Sequence, residues 1–187
     1  MAGILLLRLG AVSAAVSCVR RSARIKPASE TGASAAFNVL WPAGYQSEAL
    51  EHLTRWAHHE KSDVDRVLHA ISQFSSVGLE SKASEFVEHG LRRFPDSSGP
   101  ILEAALQLSS DSEAWEAAPD YLQRLGQISR AHLVIATDWA MGLGAFVFAE
   151  AAFAELSEEE SWPLRAKYAL WRVDEEAFER SIARAEV

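Results

Sequence analysis

The chain has 187 residues, 49% of them hydrophobic, which is enough for a sizeable core, and a formal charge of −8. Residues 1–26 hold Arg8, Arg20, Arg21, Arg24 and Lys26 and no acid, which leaves 13 basic against 26 acidic side chains, a balance of −13, for the rest. An acidic body argues against nucleic acid as the main partner, and the only cysteine, Cys18, lies in the basic segment, so the body has no disulfide, thiolate nucleophile or cysteine metal site.

Residues 1–26 read as a targeting leader. Met1 to Val19 is apolar, rich in Leu, Ala, Val and Ser and interrupted by Arg8; a cluster of Arg and Lys follows. An Arg-rich, Ser-containing, acid-free segment has the composition of a mitochondrial transit peptide. Two alternatives stay open. Ala15-Val16-Ser17-Cys18 loosely resembles a bacterial lipoprotein box, which would make the protein secreted or lipid-anchored through Cys18. A retained leader could also reach a membrane, although Arg8 splits the apolar run below spanning length. Residues 27–45 are expected to be a linker, since Pro27 to Ala36 is rich in Ser, Ala and Gly and has little periodicity.

From residue 46 to residue 187 the pattern is helical. A first helix, about 46–59, places Ala49, Leu50, Leu53, Trp56 and Ala57 on one side. The next, about 63–77, presents Val64, Val67, Leu68, Ile71 and Phe74, with Ser62 or Asp63 as cap and Gly78 at its end. Over 80–94, Ala83, Phe86, Val87, Gly90, Leu91 and Phe94 share a face, Arg92 and Arg93 suit the last turn, and Pro95 stops the helix. These last two helices are expected to form one hairpin. The pattern predicts further helices over about 98–109, 113–126 with Ser112 as cap, 130–142, 145–156, 162–171 and 174–185. Strand signals are absent, so the fold class is all-α. Residues 139–156 are apolar nearly all round, which predicts a buried hairpin turning at Gly142 and Gly144 rather than a membrane span.

Ala49, Ala83 and Ala117 recur every 34 residues, and each is followed four residues later by a larger side chain: Leu53, Val87 and Tyr121. Ala149 with Phe153 and Ala177 with Ser181 continue the ladder at shorter intervals. With Gly90 and Pro95, the 80–95 segment resembles the second helix of a tetratricopeptide repeat. That family places a small residue, a large one, a small one and a closing proline at this spacing. The resemblance covers about 46–185 and implies a solenoid of stacked helical hairpins, with an irregular helical bundle as the alternative. Ala49, Ala83, Val87, Gly90, Pro95, Ala117 and Tyr121 would be its packing positions. The sequence departs from the family at Trp56 and Arg124, which stand where Gly90 has its equivalents.

The residues carry no recognisable chemistry. His52, His58, His59, His69, His89 and His132 lack metal-ligand spacing, and nucleophile elbows and phosphate loops are missing. Glu158-Glu159-Glu160 and Asp174-Glu175-Glu176 lie at expected helix starts, where carboxylates complement the dipole. The expectation is a protein that is not an enzyme and has no cofactor or metal. In the family it resembles, the first helix of each pair lines a concave binding face, which implies Asp65, Leu68, Ser72, Leu102 and Leu106 as partner-facing positions. Family members that clamp acidic tails do so with Lys, Arg and Asn there; Leu68, Ser72 and Glu103 do not match, so a basic or apolar segment fits better. The implied function is a protein-interaction module, a mitochondrial adaptor or assembly factor. A structural subunit of a larger complex and a bacterial lipoprotein scaffold are the alternatives. Of Trp41, Trp56, Trp115, Trp139, Trp162 and Trp171, any left exposed would be an interface anchor.

Overall fold

A computed structural model describes residues 2–25, 29–111 and 115–171, and the chain divides into two compact units, Met1–Val77 and Gly78–Val187. Among the described residues every regular element is helical, and the helices pack largely in the order in which the chain makes them.

Unit 1 contains α1 (Ala2–Arg8), α2 (Val12–Ile25), α3 (Glu30–Leu40), α4 (Gln46–Ala57) and α5 (Val64–Ser76). Its first three helices pack on one another, α4 packs on α3, and α5 on α4. Gly10 and Gly44, at φ +75° and +86°, make the α1–α2 and α3–α4 turns in a conformation that other residues rarely adopt. Asp63 caps α5 by accepting the Arg66 N–H at 3.0 Å.

Two expectations change here. The leader is not separate from the body: α2 buries Ala15, Val16, Val19 and Ala23. The stretch expected as a linker holds α3, in which Ala33, Ala36, Phe37 and Leu40 recur at helical spacing and are buried. Reading the Ser/Ala/Gly composition only as far as Ala36 cuts that period in half. The boundary between units, at Val77 and Gly78, also divides the pair of helices expected to form one hairpin.

Unit 2 contains α6 (Glu80–Arg93), a 3-10 turn over Pro95–Ser97, α7 (Gly99–Asp111), a second 3-10 turn over Trp115–Ala117, α8 (Ala118–Ile128), α9 (Arg130–Gly142), α10 (Phe146–Glu155) and α11 (Glu158–Trp171). Successive helices pack from α6 through α10, and α11 returns to α9. Where α8 crosses α9, a Cβ at Gly126 would lie 3.1 Å from Leu133 Cδ1, so the glycine lets the backbones close in. The helix expected over 113–126 starts later, at Ala118, because Pro119 suits a first turn. Its expected cap, Ser112, and the expected helix over 174–185 lie outside the described residues.

The α9–α10 hairpin turns at Gly144, at φ +71°, as its glycines predict. It is less buried than its composition suggests, since Val147 on α10 is 84% exposed. No described helix is long and apolar enough to cross a membrane.

A reciprocal cap starts α11. Glu160 accepts the Ser157 N–H at 2.9 Å and the Ser157 hydroxyl at 2.7 Å, while the Ser157 oxygen accepts the Glu160 N–H at 3.4 Å. Arg130 of α9 adds a bond to the same carboxylate at 3.0 Å. Together these hold the Glu160 carboxyl at about 2, against 4.5 ordinarily, with Arg130 the largest cause. A carboxyl lowered on folding stabilises the fold above its ordinary value, and that stability is lost as pH falls toward the lowered one. Separately, losing the N-cap in Ser157→Ala is expected to cost about 1 kcal/mol. In thermal melts the gap between wild type and Glu160→Gln should narrow as pH is lowered from 4.5 toward 2.

Candidate functional site

The alanine ladder provides the first test of the packing residues. Ala49 and Ala83 each stand fourth in their helices, fully buried, with Leu53 and Val87 buried one turn on. Gly90 is buried on α6, and Pro95 opens the exposed 3-10 turn after it. Ala149 is again fourth in its helix, buried with Phe153. The third rung departs from the pattern. Ala117 is exposed on the turn before α8, and Tyr121 is half-buried. Burial, then the charge of Glu88, pushes the Tyr121 phenol above its ordinary value. The chain thus keeps the 34-residue interval at Ala117 without keeping the packing environment, since Pro119 delays the helix. Ala177 and Ser181 lie outside the described residues.

The expected partner-facing residues separate. Asp65 and Ser72 are exposed on α5 with Leu68 half-buried beside them, at a spacing that shares one helix face. Leu102 and Leu106 are 1% and 0% exposed, so they are core of unit 2 and cannot line a groove. The 3.6-residue period places both on the apolar side of α7; whether that side meets core or ligand depends on the neighbouring helices.

The large apolar side chains left in solvent are a better indication of a surface. On unit 2 these include Val147 of α10 and Leu170 and Trp171 at the end of α11, the last two 57% and 52% exposed. Tyr168 is seated between Phe146 and Phe153 of α10, with ring centroids 5.6 Å away in each case, and donates to Glu150. Lys167 reaches Asp138 of α9 at 2.5 Å. The last described turns of α11 are therefore held on two sides while Trp171 stays half exposed. Trp56, by contrast, is buried.

Unit 1 carries a polar node that sequence reasoning missed. Arg20 of α2 donates to both oxygens of Glu48 on α4, its Nη2 at 2.6 Å and its Nε at 2.9 and 3.1 Å. Its guanidinium also lies 4.6 Å from the centroid of the Tyr45 ring. The Arg20 hydrogen bonds hold the Glu48 carboxyl below its ordinary value against some desolvation, and His52 adds to the effect. Treating the leader as detached hides this pair; the Ala15, Val16, Val19, Ala23 stripe on α2 is the signal that it packs.

A second cluster lies between α4 and α5. The His69 ring meets Trp56 edge-on, with centroids 5.5 Å apart, and the Arg66 guanidinium sits 5.4 Å from the indole centroid. No three His, Cys, Asp or Glu side chains converge on a point that could hold a metal among the described residues. No family model matches the chain, and neither does a curated protein or a solved structure.

Core and surface roles separate by mutation. Leu102→Ala and Leu106→Ala should each cost about 2–5 kcal/mol in urea unfolding. Asp65→Ala and Ser72→Ala should stay within about 0.5 kcal/mol of wild type.

Proposed function

We propose that this protein is a non-catalytic interaction module that holds a basic or apolar segment of another protein. The observation that carries this reading is Trp171, exposed beside Leu170 at the end of a helix whose preceding turn is pinned by Tyr168 and Lys167. A half-exposed aromatic on a helix whose preceding turn is held in place is the kind of residue that can dominate binding energy at protein interfaces. The acidic body supports a basic partner through steering. On unit 1, Asp65, Leu68 and Ser72 offer a smaller face of mixed polarity.

The architecture supports a tetratricopeptide-like array through Ala49, Ala83 and Ala149, each buried at the same helix position. The Arg-rich, acid-free start of the chain supports a mitochondrial destination, where the protein would serve as an adaptor or assembly factor. It needs neither cofactor nor metal in this role. A permanent place in a larger complex is the second reading, favoured by the apolar residues left on α10 and α11.

Affinity purification from organelle fractions with mass spectrometry tests the proposal. A partner should be recovered with the wild-type chain and largely lost with Trp171→Ala, at unchanged melting temperature. Recovery of the chain only from cytosol, without a partner, overturns it. Native size then separates the readings: exchange between free and bound pools marks an adaptor, whereas constant co-migration marks a subunit.

A further inference from the structure

We propose that the solvent side of the α1–α2 hairpin is a peripheral docking surface for an anionic lipid bilayer. The inference concerns unit 1 alone and goes beyond the protein-binding residues of unit 2.

The first support is where uncovered apolar side chains lie. Among the described residues, four of the nine large hydrophobic side chains left exposed belong to this hairpin: Leu5, Leu9, Val12 and Ile25. Leu9 is 82% exposed and Leu5 57%. The Leu9 N–H still bonds the Leu5 carbonyl at 3.0 Å, so the two leucines stand one turn apart on the same side of α1. Val12 follows the Gly10 turn and is exposed with them. The tip of the hairpin therefore holds aliphatic side chains in water, which costs free energy until an apolar medium takes them up.

The second support is charge. Residues 2–25 contain no acid. Glu48 of α4 reaches the hairpin, but Arg20 already occupies both of its oxygens. Arg8, Arg21 and Arg24 are exposed, and no carboxylate among the described residues pairs with any of them. Arg8 shares the face of Leu5 and Leu9. Arg21, Arg24 and Ile25 share the side of α2 opposite its buried stripe of Ala15, Val16, Val19 and Ala23. Unpaired cations thus stand among exposed apolar residues in a chain that is otherwise strongly acidic.

This combination fits a lipid surface better than an acidic protein. Aliphatic side chains at a hairpin tip enter the acyl boundary while arginine extends its guanidinium back to the headgroup phosphates. Protein interfaces favour aromatic anchors, and residues 1–25 contain no aromatic side chain. Each basic residue beside an anionic leaflet adds about fivefold in affinity. None of the described helices is long and apolar enough to cross a bilayer, and a surface contact requires none. The acidic remainder repels the same leaflet, which turns the hairpin toward it and keeps the contact reversible.

The test is co-sedimentation of the full chain with vesicles of phosphatidylcholine, with and without a quarter phosphatidylserine. The chain should bind the anionic vesicles at least about tenfold more tightly than the neutral ones, and less so as salt rises. Arg8→Gln, Arg21→Gln and Arg24→Gln together should weaken binding roughly 100-fold. Leu5→Ser with Leu9→Ser should weaken it about tenfold or more. All five side chains are exposed, so both variants should keep wild-type helical content and melting temperature. A polarity-sensitive dye at Ser13→Cys, in a chain carrying Cys18→Ser, should shift to the blue with anionic vesicles. The same dye at Ser72→Cys on α5 should not, and this readout stands even if a surface variant fails to fold. Equal binding to both vesicles, or to neither, overturns the proposal. Sensitivity to only one of the two variants also overturns it, since the arginine set alone would mark a basic patch for an acidic protein. A dye shift at Ser72 that matches the one at Ser13 does the same. Partner capture through Trp171 is read separately in unit 2, so either reading fails without the other.

Discussion

Helices in this protein come as near to one another as their smallest residues permit, and much else in the structure follows from that closeness. Gly3 admits α1 between Val19 and Val39, Gly126 admits α8 to Leu133 and Phe148, and Gly99 leaves space for His132. Ala49, Ala83 and Ala149 are buried with no solvent contact at all. Side-chain size at the crossing point sets the distance between helix axes, and interiors packed to crystal-like density have no slack for an added methyl group. Most of the helices have between ten and fourteen residues, too few to be stable alone in water. Within each unit most helices pack on the next one in the chain, because each must cover an apolar stripe with a helix close at hand.

Polar interactions have a different distribution. Ion pairs that join separate helices, Arg20 with Glu48, Arg130 with Glu160 and Lys167 with Asp138, all lie at least partly in solvent. Pairs of that kind add little to stability, but they specify which helix faces which. The pair from Arg20 is notable for its origin in the basic segment, which supplies the only surplus of positive charge to an otherwise acidic chain. Its partner on α4 also lies 3.7 Å from the His52 ring of the same helix.

The predicted helices and the observed ones agree closely where apolar period, cap and terminator coincide. The helices over 64–76, 80–93 and 130–142 start and stop within a residue or two of their expected limits. Asp63, the Arg92–Arg93 pair and Gly144 mark those ends by chemistry that is local to the chain. The disagreements have separate causes. The 30–40 segment looked like a linker because its composition is that of a loop while its period is that of a helix. Ala117 kept its interval but not its environment, and Leu102 and Leu106 were placed on a binding face when they belong to a core. The 30–40 period emerges only when the reading runs past Ala36, Pro119 delays the helix beyond Ala117, and the side of α7 that holds Leu102 and Leu106 meets other helices.

By itself the sequence determined the all-α class, most of the helix limits, the charge division and the absence of recognisable catalytic motifs, because these depend on neighbours a few residues away. Only the tertiary structure decided that the basic segment packs against α3 and reaches α4, that the alanine ladder skips a rung, and that Trp171 stays in water while Trp56 does not. Periodicity reports which side of a helix is apolar. It carries no information about which surface that side will meet, since hydrophobic burial has no direction and many arrangements of short helices satisfy it equally. Small-residue crossings select among those arrangements, and their partners lie dozens of residues away, as Gly3 and Val39 do.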